Sequence, residues 1–138
     1  MTNNLEANKE VVRRFNREVI EQCSREALDD ILREDFINHT AAPNVDKGKE
    51  GIWFTFHEIL HPMLSNIKVE IYEQVAEGDL VTTRKAITGK HTGTTADIPA
   101  TGKEVKINVI DIVKIQDGKY AAHWGINNLQ AVLAELKK

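Results

Sequence analysis

The sequence predicts an α+β fold in which helices pack in the concave face of a curved, mainly antiparallel β-sheet, and three observations point to it. Apolar residues recur every three or four positions through the first part of the chain. From residue 67 they alternate at every second position, and "EGD" and "QDGK" punctuate the alternating part into two hairpins. Helices first and strands afterwards make two layers around one core, and 138 residues suffice to bury that core as a single domain, 1–138, without disulfides or a structural metal.

Val12, Phe15, Val19 and Cys23 fall at helical intervals with charges between them, which predicts an amphipathic helix over about 5 to 22, capped by Asn3 or Asn4. Ser24 starts a second helix whose Leu28, Ile31 and Leu32 share a face, and "DFINHT" has the length of a short strand. After the loop "AAPNVDKGK", the segment "EGIWFTFHEILHPML" gathers Ile52, Trp53, Phe56, Ile59, Leu60 and Met63 into one apolar stripe, which predicts a core helix covering the sheet. "IKVEIYEQV" and "LVTTRKAITGKHTG" form the first long hairpin. The polar loop "TTADIPATGK" leads to the second, "EVKINVIDIVKI" and "YAAHWGIN", joined by an Asp-Gly turn. Leu129, Val132, Leu133 and Leu136 then line one face of a terminal helix capped by Asn127 or Asn128.

A formal charge of −3 offers no basic surface for nucleic acid or an anionic membrane, so neither partner is expected. No stretch approaches the ~20 apolar residues of a membrane span, and the start of the chain lacks the pattern of a signal peptide. One cysteine, Cys23, fits a reducing compartment, and the expected location is cytoplasmic.

"HEILH" places His57 and His61 four apart around Glu58, the spacing of a helical zinc hydrolase site. Pro62 biases His61 away from helical geometry and no third ligand is apparent, so the expectation is a scaffold helix and no metal. The glycines match no phosphate loop, and Ser24 and Ser65 sit on no nucleophile elbow. Polar residues inside strand patterns are more informative. Arg84, His91, Asp111 and His123 are candidates to project into one cavity, with an Arg84–Asp111 ion pair as the alternative structural role. Asp111 stands among Ile110, Ile112 and Val113, where a carboxylate needs a partner or a raised pKa.

With these residues laid out, the chain resembles the SnoaL-like polyketide cyclases, or ester cyclases, of the cystatin-like, nuclear-transport-factor-like cone fold. "NKEVVRRF", "DFINHT", "AEGDLVTTRKAITGKHTG", "IPATGKEV" and "VIDIVKIQDGKYAAHWGINNLQAVLAEL" carry the resemblance in order. It implies a cofactor-free cone whose mouth takes a hydrophobic small molecule such as a polyketide ester, closed into a ring by intramolecular aldol chemistry, and a homodimer formed through the sheet. Asp111, His91 and His123 are the candidate catalytic residues, with His39, Trp53, Arg84, Trp124 and Asn128 as candidate ligand contacts. The last strand departs from the family pattern: Ala122, Gly125 and Asn128 stand where the family commonly has acids. That departure favours a second reading, a non-catalytic ligand-binding or accessory domain, and makes Asp111 the default base of the first. The zinc hydrolase is the remote third.

Overall fold

A computed structural model describes residues 4–138, so the proposed cap Asn3 lies outside the described residues. Helix α1 (Leu5–Arg14) continues into wide π-type turns over Phe15–Glu21, where Gln22 N–H bonds to Arg17 O five residues back. Asn4 makes no side-chain cap, whereas Ser24 accepts the Ala27 N–H and starts α2 (Arg25–Ile31). Strand β1 (Leu32–Asn38) follows without a loop, so Leu32, expected on the helix, opens the strand instead.

The third helical segment runs as α3 (Lys49–Phe54), wide turns over Thr55–Leu60, and the short α4 (His61–Met63). Pro62 does not bend His61 out of the helix, contrary to the sequence-based expectation. His61 has φ −68° and ψ −36°, because the ladder widens just before the residue that has no N–H to donate. Trp53 and Phe56 are half-buried against the core rather than within it.

Strands β2 (Leu64–Glu77), β3 (Leu80–His91), β4 (Glu104–Gln116) and β5 (Lys119–Asn127) form the two expected hairpins. The sheet order is β1-β5-β4-β3-β2, antiparallel except where β1 runs parallel to β5. Asp117 and Gly118 both take positive φ, as a two-residue hairpin turn of this hand requires. Helix α5 (Leu129–Leu136) closes the chain and packs on β4. Asn127 Oδ1 accepts the Leu129 N–H, and Asn128 Oδ1 accepts the Asn108 N–H at 2.8 Å, so Asn128 clamps the helix to the sheet.

Strand parity sends alternate side chains to opposite faces of the sheet. Val81, Thr83, Lys85, Ile87 and His91 of β3 lie on the concave face with Val105, Ile107, Asp111, Val113 and Ile115 of β4, and the helices cover that face. Phe15 from the first helical segment stacks on Tyr120 of β5 at 4.6 Å and meets Phe56 edge-on at 6.0 Å, joining both helical segments to the sheet. Phe15→Ala is therefore expected to lower the unfolding free energy by about 3 to 5 kcal/mol, measured by urea denaturation. An unchanged denaturation midpoint would contradict this placement of the first helix.

Candidate functional site

One cluster of polar side chains interrupts the apolar concave face. Asp111, 6% exposed on β4, faces Thr83 on β3 and Gly125 on β5 across the ladder. Its Oδ2 lies 3.2 Å from Lys85 Nζ and 3.5 Å from His123 Nε2. Lys85, 3% exposed, also donates to Asn16 Oδ1 at 2.6 Å. Asn16 belongs to the wide turns after α1, and its Nδ2 donates to Val12 O at 2.8 Å, which fixes the oxygen toward the lysine. On the other side, Asn38 Oδ1 accepts the Thr40 N–H and a hydrogen bond from His123 Nδ1 at 2.8 Å. The result is a chain, Asn16–Lys85–Asp111–His123–Asn38, that crosses from the first helical segment to the end of β1.

The second oxygen, Asp111 Oδ1, is buried and has no hydrogen-bond partner among the described residues. Burial pushes this carboxyl up, but the Lys85 charge and then the His123 hydrogen bond and charge outweigh it and hold the group below the usual carboxylate range. Asp111 is thus ionised at neutral pH. Tyr120, packed beside it, is pushed the other way: burial first, and then the Asp111 charge, raise its phenol well above the ordinary value. His123 is half-buried and forms the side of the cluster nearest solvent.

Of the three candidate catalytic residues, the fold brings Asp111 and His123 together. Arg84 is corrected: one residue out of phase with Lys85, it lies exposed on the convex face, donates to both oxygens of Glu73, and stands 4.6 Å over the Tyr72 ring. The expected ion pair to Asp111 is therefore made by Lys85. His91 shares the concave face but lies eight residues along β3 from Thr83, the partner of Asp111, roughly 26 Å at the rise of a strand. It is fully buried, its Nδ1 accepts the Thr101 N–H, and its Nε2 has no partner. His39 and Trp124 stack at 4.8 Å on the convex side, since Trp124 opposes the outward Ile112. Trp53 stacks on His57 with Arg25 over its ring, away from the cluster. Of the three positions where the resemblance implies acids, Gly125 faces Asp111, Ala122 opposes Lys114, and Asn128 holds α5.

The histidines of "HEILH" have separate tasks. His61 Nε2 donates to Ile20 O at 2.7 Å, tying the third helical segment to the first. Among the described residues, no three His, Cys, Asp or Glu side chains converge as metal ligands. Two clefts, of about 610 and 300 Å³, lie where α5 meets the 96–101 loop and the start of β4, and Asp111 lines neither. No described helix is long and apolar enough to cross a membrane.

Comparison with known proteins places these observations. Residues 10–136 match the family of SnoaL-like polyketide cyclases. Among solved structures, TsrD from Streptomyces laurentii is 24% identical with a TM-score of 0.82, covering 95% of each chain. IdmH from Streptomyces antibioticus is 22% identical, TM-score 0.80, over 95% of this chain and 99% of its own. An LEH-like epoxide hydrolase from M. tuberculosis is 13% identical, TM-score 0.72, over 99% and 89%. At these identities the likeness shows the fold. A search of curated proteins gave no significant match.

Asp111→Asn leaves Lys85 buried beside a neutral amide and is expected to cost about 3 to 5 kcal/mol at neutral pH. A carboxyl depressed in the folded state stabilises above its unfolded value, about 3.9, and that contribution is lost as pH falls through the lower folded value. The gap between wild type and Asp111→Asn should accordingly be full at pH 7 and close in acid. Denaturation curves at a series of pH values would show it, and a gap independent of pH would refute the ionised pair.

Proposed function

The chain belongs to the SnoaL-like polyketide cyclase family, and from that premise we propose that it takes a hydrophobic carbonyl compound into its cone and moves a proton on it at Asp111. The supporting observation is the buried Lys85–Asp111–His123 cluster, with one carboxylate oxygen committed to the protein and the other, Oδ1, unpartnered. A hydrogen-bond acceptor buried in that state is complementary to a donor on a ligand.

The depressed pKa narrows the chemistry. A carboxylate held below its usual range is a feeble base, so a carbon it can deprotonate is one acidified by two flanking carbonyls. The proton passes to Asp111 Oδ1, and the electron pair of the broken C–H bond forms an enolate. The enolate carbon bonds to a second carbonyl carbon in the same molecule, and the resulting alkoxide takes a proton back. Lys85 stabilises the carboxylate before transfer, and His123, beside Oδ2 and nearest solvent, is placed to return a proton. The step needs proton donors and acceptors only, so the proposal includes no cofactor.

One observation favours binding without turnover: Gly125 faces Asp111 where the resemblance implies an acid. Rates separate the two readings. Wild type should cyclise an aldol-competent diketoester, and Asp111→Asn should lose about 10² to 10⁴ of that rate while still binding the ligand. Activity that survives Asp111→Asn would remove this carboxylate from the mechanism, and binding without any turnover in wild type would leave a ligand-binding protein.

The proposal extends to a homodimer formed through the sheet. The convex face exposes Ile37, Leu80, Ile110 and Ile112 together with Val75 and Ile126, the last two 65% and 69% exposed, around the Trp124–His39 stack. Exposed large apolar side chains on every one of the five strands are the kind of surface that an interface between copies would cover. Sedimentation should find wild type dimeric and Ile126→Glu shifted toward monomer, whereas a monomeric wild type would contradict the assembly.

A further inference from the structure

The contact between His123 and Asp111 depends on an empty volume. A Cβ built on Gly125 would fall 2.9 Å from His123 Cε1, 3.1 Å from His123 Nε2 and 3.3 Å from Asp111 Cβ. The first of these is closer than Cβ atoms come to their neighbours in proteins, so something must shift, and the atoms with most freedom to do so belong to the imidazole at the end of its side chain. His123 and Gly125 share the concave side of β5, two residues apart, opposite Val113 and Asp111 respectively. The ring reaches Asp111 by folding along its own strand over the bare backbone of Gly125. Nothing else in the local backbone calls for glycine here: its φ is not positive, and its N–H is held by Thr40 Oγ1 at 2.9 Å in ordinary strand geometry.

We propose that Gly125 is a positioning residue, whose missing side chain lets the His123 imidazole close on Asp111 Oδ2. This deepens the reading of the cluster as a proton-transfer site and rests on it. The consequence is a mutual exclusion. A side chain at 125 and the His123–Asp111 contact compete for one volume, so an acid introduced at 125 is not a simple addition. Gly125→Asp would displace the imidazole and set a second carboxylate against Asp111, unless His123 is shortened in the same variant. The groups facing His123 are Asp111 from β4, with Lys85 from β3 behind it, and Asn38 from the end of β1.

The test requires no ligand. The ring resonances of His123 are recorded by NMR at one pH in wild type, Gly125→Ala, Asp111→Asn and Gly125→Ala/Asp111→Asn. Removing the carboxylate contact should move the His123 ring resonances in Asp111→Asn; Gly125→Ala should reproduce that change in direction, and the double variant should add little to either. A change in Asp111→Asn with wild-type His123 resonances in Gly125→Ala would overturn the role of Gly125 alone. No shift in Asp111→Asn would remove the His123–Asp111 pair itself, and with it the proposed site. Thermal stability gives a second measurement should Gly125→Ala fold poorly. The methyl group should lower the melting temperature in wild type and change it little in His123→Ala, where the ring is gone. Equal losses in the two backgrounds would place the obstruction in the backbone and overturn the proposal.

Discussion

The ion pair between Lys85 and Asp111 is the interaction on which the rest of the interior depends. Each charge sits on a central strand, facing helices, in a layer otherwise built of aliphatic and aromatic side chains. Neither is tolerable there alone, because removing one partner leaves the other buried and uncompensated. The pair sets conditions on its neighbours. Asn16 must carry its oxygen inward from the first helical segment, and His123 must fold over Gly125, to satisfy what the lysine and the carboxylate still lack. Replacing a buried ion pair with an apolar core of the same shape is often neutral or stabilising. Charges retained in such a core mark a candidate site.

The sheet separates two kinds of work by face. Its concave side holds the charged cluster beneath the helices, while its convex side carries apolar side chains and the His39–Trp124 stack outward. Because successive residues of a strand alternate, adjacent residues serve different ends: Arg84 and Lys85 differ by one position and belong to different chemistry. The first helical segment is tied to this frame by polar contacts, Asn16 on Lys85 and Glu21 Oε2 on the Val69 N–H, while His61 on Ile20 O ties the third segment to the first. Asn16 and Glu21 both stand in the wide turns, which are therefore where the first segment meets the sheet through side chains.

Much of this is legible in the sequence. Periods of three to four and of two place the helices and hairpins, and the Asp-Gly turn sets the pairing of β4 with β5. Asp111 and His123 stand out as polar residues within apolar strands. Lys85 is legible too, since it is in phase with Val81, Thr83 and Ile87, although Arg84 beside it is the more conspicuous residue. Asn16 carries a similar signal, four after Val12 and three before Val19 on the buried stripe. The distance of His91 from Asp111 is not legible, because alternation says which side a residue takes and not how far along a twelve-residue strand it lies. The clearance at Gly125 had no signal in the sequence, since it arises from the ring of His123 and the backbone of its own strand meeting in three dimensions.

Asp111 is buried, and the charge of Lys85 beside it holds its carboxyl ionised. Its side-chain carboxyl can be titrated directly by carbon-13 NMR in wild type and in Lys85→Met. The expected result is a wild-type midpoint below the ordinary aspartate value of about 3.9, and a midpoint well above it once the lysine is replaced and burial acts unopposed. A wild-type midpoint at or above the ordinary value, or one that Lys85→Met leaves unmoved, would contradict it.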